Sequence, residues 1–114
     1  MARKNKSSKY QIEDITKENK LNKILRDQKA TKSRIGFLFT SLWDDNSKRL
    51  VGKLGAKYKK PEADSIPLYI VNSFDTPHSF VIFDLKTAPA LVVLDGDEVH
   101  KETYIPNIYH KLGV

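Results

Sequence analysis

Two short apolar runs and the prolines Pro77 and Pro89 constrain this chain more than any other feature. Both runs fall within residues 66–103: Ile-Pro-Leu-Tyr-Ile-Val from Ile66, and Ala-Leu-Val-Val-Leu from Ala90. Short runs rich in Val, Ile and Leu read as buried strands. The second meets Asp95-Gly96-Asp97 and then the alternating Glu98-Val99-His100-Lys101-Glu102, which is the pattern of a β-hairpin. Pro89 stands at the mouth of that hairpin, where its missing N–H costs the ladder nothing. The Ala88–Pro89 bond is also of the one kind that becomes cis at modest cost.

Upstream, residues 35–41 are apolar almost throughout, as expected of a strand covered on both faces. Gly36 in its interior implies close approach of a neighbour. The run ends at Leu42-Trp43, and Asp44, Asp45, Asn46 and Ser47 follow. All four are helix-capping types, and the carboxylates complement the positive end of a helix dipole. The helix they open carries Leu50, Val51, Leu54 and Tyr58 on an apolar face, with Arg49, Lys53, Lys57 and Lys60 as a basic stripe, until Pro61 stops it. Tyr10-Gln-Ile-Glu-Asp-Ile15 alternates and reads as a short edge strand. A helix capped by Thr16 then carries Leu21, Ile24, Leu25 and Gln28 on one face. Thr76 and Pro77 read as cap and first turn of a short helix, with Phe80, Val81, Phe83 and Leu85 filling the space against the sheet. A last helix opens at Tyr104-Ile-Pro106 and carries Ile108, Tyr109 and Leu112. The order strand-helix-strand-helix-strand-helix-strand-strand-helix is that of an α/β sandwich.

These motifs, in this order, resemble the thioredoxin superfamily over residues 10–114. Pro77 and Pro89 stand twelve residues apart, as do the family's helix-opening proline and its cis-proline. Pro89-Ala-Leu-Val-Val-Leu-Asp-Gly-Asp-Glu-Val is similar to the family's proline, strand, glycine turn and return strand. Arg34-Ile-Gly-Phe-Leu-Phe-Thr-Ser-Leu-Trp43 is similar to its central strand ending in tryptophan. The resemblance implies a thioredoxin-like α/β/α sandwich with a central mixed sheet and a cis-proline before the C-terminal hairpin. Where the family places Cys-x-x-Cys, this chain has Asp44-Asp45-Asn46-Ser47, and it contains no cysteine at all. Thiol–disulfide exchange begins with a thiolate, so that chemistry is excluded. The family's buried aspartate is replaced by Leu38, and its lysine on the following strand falls near Ile70 or Val71. Apolar core stands in place of a buried acid–base pair.

Charge is uneven along the chain. Residues 1–60 carry 17 Lys/Arg against 6 Asp/Glu, and residues 61–114 carry 3 against 8, giving +11 and −5. Such asymmetry suits either a solvated face or a basic end that meets nucleic acid or an acidic protein. Residues 1–9 offer nothing to bury and read as a disordered basic arm. No stretch approaches the roughly 20 apolar residues of a membrane span. The basic start has no apolar segment behind it, so no secretory signal is read, and a cytoplasmic or nuclear location is expected. The absence of cysteine is compatible with a reducing interior.

Little else in the sequence carries chemistry. His78, His100 and His110 follow no metal-ligand spacing, and neither a metal nor a cofactor is expected. Asp44 and Asp45 are adjacent at a helix start, where capping explains them without catalysis. Ser47 has no visible base. Asp95-Gly96-Asp97 lacks the calcium-loop ligand pattern and is a turn. The reading is therefore a non-enzyme that binds a protein partner, as cysteine-free members of the resembled family do as adaptors, chaperones or assembly subunits. By that resemblance the groove residues are Trp43, Asp44, Asp45, Ala88 and Pro89. The alternative is a nucleic-acid-associated factor acting through the basic half, with Arg49, Lys53, Lys57 and Lys60 tracking phosphates in a salt-sensitive way. Oligomeric state is not legible in the sequence.

Overall fold

Continuous apolar runs, which present apolar residues to both faces of the central strands, dictate the architecture. The computed structural model describes residues 10–57 and 66–113. Along β2 (Arg34–Thr40) every residue after Arg34 is buried. Ile35, Phe37 and Phe39 enter one core and Leu38 enters the other. The strand β4 (Ala90–Asp95) divides likewise, with Ala90, Val92 and Leu94 opposed to Leu91. Such a strand needs cover on both sides, and helices supply it.

Five strands form one mixed sheet in the order β1-β3-β2-β4-β5. The strand β1 (Tyr10–Ile15) pairs parallel with β3 (Ile66–Asn72), and β3 pairs parallel with β2. β4 runs antiparallel to β2 and turns through Gly96 into β5 (Glu98–Glu102). Gly96 holds φ +62°, a left-handed conformation that glycine adopts without strain. Close approach at Gly36 is real: a Cβ there would lie 3.1 Å from Leu68 Cδ1 on the paired strand.

One face carries α1 (Glu18–Thr31) and α3 (His78–Ile82), packed over a core of Phe37, Phe39, Val71 and Phe83. Phe39 meets Phe80 edge-on at 5.2 Å. The other face carries α2 (Asp45–Lys57) and α4 (Ile105–Leu112), joined to the sheet by Leu38, Leu50, Leu54, Leu68, Ile108 and Leu112. Leu38 is fully buried in this apolar cluster, and Ile70 and Val71 are buried as well. Gln28 is the buried polar exception on α1. Its amide donates to Ser33 O at 2.8 Å and Gly96 O at 2.9 Å, tying the helix end to the hairpin turn.

Several local expectations are corrected. Thr16 does not cap α1: the cap position is Lys17, with no side-chain hydrogen bond. Thr76 does not cap α3 with its side chain; its hydroxyl donates to Asn72 O, and Pro77 occupies the cap position. Val81 does not fill the core, being 70% exposed: Phe80 and Phe83, three residues apart, take the inward side of the turn and leave Val81 outside. Tyr58, Lys60, Pro61 and the basic arm of residues 1–9 lie outside the described residues. No helix among the described residues is long and apolar enough to cross a membrane.

Candidate functional site

The parallel strands β1, β3 and β2 all end at one edge of the sheet, and the chain leaves each end through a short polar turn. From β2 it passes through Ser41 and Leu42 to Trp43. Ser41 organises this turn: its N–H donates to Ser47 Oγ at 3.2 Å, and its own hydroxyl accepts from the Trp43 N–H at 3.3 Å. The Asp44 N–H donates to Ser41 O at 3.2 Å. Asp44 then caps α2, its Oδ2 accepting from the Ser47 N–H at 2.7 Å. The turn is thus fixed by backbone and hydroxyl bonds, and Trp43 is left pointing outward, 80% exposed.

From β3 the chain leaves at the same end. The Ser73 N–H still donates to Thr40 O at 2.9 Å, and the Phe74 N–H donates to Asn72 Oδ1 at 2.8 Å. Phe74 is 67% exposed and Leu42 is 45% exposed. Ala88 and Pro89 arrive at this end from the other side. Phe39 is opposite Ala90 in the β2–β4 register, so one step further brings Pro89 beside the end of β2. Their peptide bond is cis; Pro89 is buried and Ala88 half-buried. Trp43, Asp44, Asp45, Ala88 and Pro89 therefore share one end of the sheet. Asp45 is exposed in the first turn of α2.

Residues that sequence reasoning missed lie beside these. A cleft of about 520 Å³ runs between α2 and the ends of β1, β2 and β3. Asp14, Thr40, Ser47, Lys48, Val51 and Asp75 are among its walls. Alternation along each strand contained the signal, since Thr40, Asn72 and Asp14 fall on the α2 face, but only the three-strand register brings them together.

Ser47 is buried, and Asp44 engages its backbone N–H rather than its hydroxyl, so no base activates it among the described residues. Of the basic stripe, Arg49 and Lys53 are exposed on α2 and Lys57 belongs to the same helix. Lys53 Nζ stands 6.0 Å from the centroid of the Tyr109 ring, within cation–π range. Asp95 and Asp97 lie at the opposite end of the sheet, ion-paired with Arg34 and Lys32. His100 pairs with Glu98 at 3.2 Å on β5. Among the described residues no three His, Asp or Glu side chains converge as metal ligands do.

No protein-family model and no curated protein matches the sequence. Solved structures match its shape. The chain is similar to the thioredoxin NaTrxh from Nicotiana alata, with a TM-score of 0.72 over 96% of both chains and 12% identity. It is similar to Fasciola hepatica thioredoxin, with a TM-score of 0.67 over 88% of this chain and 95% of that one, at 16% identity. Schistosoma mansoni thioredoxin gives 0.67 over 93% and 94%, at 15% identity. The chain has a thioredoxin-like fold and, having no cysteine, none of the thiol chemistry that fold can carry.

Proposed function

We propose that this chain is a non-catalytic binding protein that engages a protein partner through the surface around Trp43, Asp44, Asp45, Ala88 and Pro89. The observation that carries the reading is Trp43, held outward by a hydroxyl-bonded turn at the same end of the sheet as exposed Leu42 and Phe74. Large apolar side chains collected at one end of a molecule mark a docking surface. An exposed indole is among the strongest anchors such surfaces use, and burying a side chain of this size stabilises a complex by about 1.5–3 kcal/mol. A turn already fixed by Ser41 and Ser47 loses little entropy on binding. With no thiol in the chain, the same end of the fold is free to hold a partner without exchanging disulfides.

The test is capture of partners from native lysate, with and without nuclease, by three proteins: wild type, Trp43→Ala and the pair Arg49→Gln/Lys53→Gln. The same proteins should be captured with and without nuclease. Trp43→Ala should weaken capture at least tenfold, in line with loss of about 2 kcal/mol at an anchor residue. The glutamine pair should leave it nearly intact. Capture that depends on nucleic acid and on Arg49 and Lys53, but not on Trp43, would instead favour phosphate tracking by the basic stripe.

A further inference from the structure

The cleft beside α2 has a physical origin in the helix's two faces. Ser47, Leu50 and Leu54 point at the sheet and are buried, while Lys48, Val51 and Gly52 face β1 and the end of β3. Gly52 has no side chain, and a Cβ there would meet nothing within 4 Å. Opposite, the strand positions on this face end in Asp14, Thr40 and Asn72 instead of large apolar residues. Space that Leu50 and Leu54 fill nearer the middle of the sheet is therefore left open at its edge. The volume of about 520 Å³ lies within the about 300–1,000 Å³ of ligand sites.

The walls are largely aliphatic, from Leu42, Val51 and Ile70, and the charges stand on them in unequal number. Asp14 and Asp75 are exposed and make no ion pair among the described residues; Lys48 likewise makes none. The helix N-terminus, which would otherwise favour an anion, is already satisfied by Asp44. The balance at the cleft is one net negative charge. Ser47 supplies an independent observation: it is 1% exposed and lines the cleft. Its Oγ accepts from the Ser41 N–H, and its proton meets no acceptor among the described residues. A buried hydroxyl that lines a cleft and is held only as an acceptor can donate its proton to a group brought into that cleft.

We infer that this cleft receives the aliphatic stem and cationic head of an arginine or lysine side chain carried by an extended segment of a protein partner. The inference rests on the partner-binding reading above. Stem and head match the aliphatic walls and the two carboxylates, and a peptide carbonyl can accept from the Ser47 hydroxyl. A simple amine supplies only the first two. The cleft is continuous with the exposed apolar surface, because Leu42 belongs to both and Asp75 follows Phe74. One segment can therefore span the two.

The test uses the full chain labelled with nitrogen-15 and three probes: the blocked peptide Ser-Leu-Arg-Leu-Ser, its glutamate counterpart Ser-Leu-Glu-Leu-Ser, and n-butylguanidine. The arginine peptide should shift the amides of Ser47, Gly52, Asn72 and Asp75, less so at raised salt, and the glutamate peptide should not. Asp14→Asn with Asp75→Asn should weaken binding about threefold to tenfold, as expected for two partly exposed ion pairs. Lys48→Gln should tighten it about twofold by removing the opposing charge. Both aspartates are exposed, so the variant keeps its fold, which its amide spectrum reports. Unchanged affinity in that variant, equal binding of the glutamate peptide, or no cleft shifts at millimolar arginine peptide would overturn the inference. Butylguanidine binding as tightly as the peptide would assign the cleft to a free cation and overturn the polypeptide part. Loss of partner capture in Trp43→Ala, with capture intact in the aspartate variant, would leave the surface reading standing and this one fallen. The converse pattern would keep the cleft without the Trp43 surface.

Discussion

Tyr69 lies half-buried on β3 beneath α1, its ring centroid 5.6 Å from that of Phe37. Burial raises its phenol pKa above the ordinary value, and the Asp27 carboxylate adds to the rise. The folded state therefore holds the Tyr69 proton more tightly than the unfolded chain does. That contribution to stability is complete below about pH 10, where the unfolded phenol titrates, and is lost as pH climbs through the folded value. Tyr69→Phe should flatten the alkaline fall in melting temperature between about pH 9 and 11, compared with wild type over the same range. An unchanged pH slope would mean the phenol titrates alike in both states. Gln28 and Leu38 show how differently single positions read in a sequence. Leu38 is legible, since an apolar residue in an apolar run belongs in a core. Gln28 on a helix's apolar face looks like an interruption until its two carbonyl partners, Ser33 and Gly96, are placed beside it.

At the scale of elements, α2 carries most of what is distinctive. Its buried row of Ser47, Leu50 and Leu54 anchors it, while Gly52 and Gly55 are open positions where a Cβ would touch nothing within 4 Å. Glycine inside a helix costs about 0.5–1 kcal/mol relative to alanine. Gly55→Ala should therefore raise the melting temperature by about 3–6 °C in a thermal scan followed by circular dichroism. A fall would show that the position has no room for a Cβ after all. The strands and α2 were legible because each follows a strong local rule: an apolar run, a period of two, or a cluster of capping residues. The caps at Thr16 and Thr76 were misread for a physical reason. A threonine hydroxyl bonds whichever backbone group lies nearest, and at Thr76 that is Asn72 O four residues back. Val51 was read as core because its spacing fits an apolar face, yet it is only half-buried and lines the cleft. No local pattern announces that cleft, because its walls meet only through the register of three strands and a helix.

For the whole molecule, the two halves of the sequence do not form two halves of the structure. β3, from the acidic half, is inserted between β1 and β2 of the basic half. The charge asymmetry along the chain is thereby interleaved across the sheet. β1 pairs with β3, so residues 1–64 alone lack the partner that β1 needs. Expressed alone, that fragment should give the collapsed amide dispersion of an unfolded chain, and a cooperative melt would count against this account. The same insertion sets a schedule for synthesis. Between the end of β1 and the end of β3 the ribosome adds residues at about 5–20 per second, an interval of roughly 3–11 seconds. Throughout it β1 waits unpaired, and from its own synthesis onward β2, buried on both faces in the finished fold, stands as an apolar strand with neither neighbour complete. The protein's moment of greatest exposure to wrong association is its own translation, before its central strand has anything to lie against.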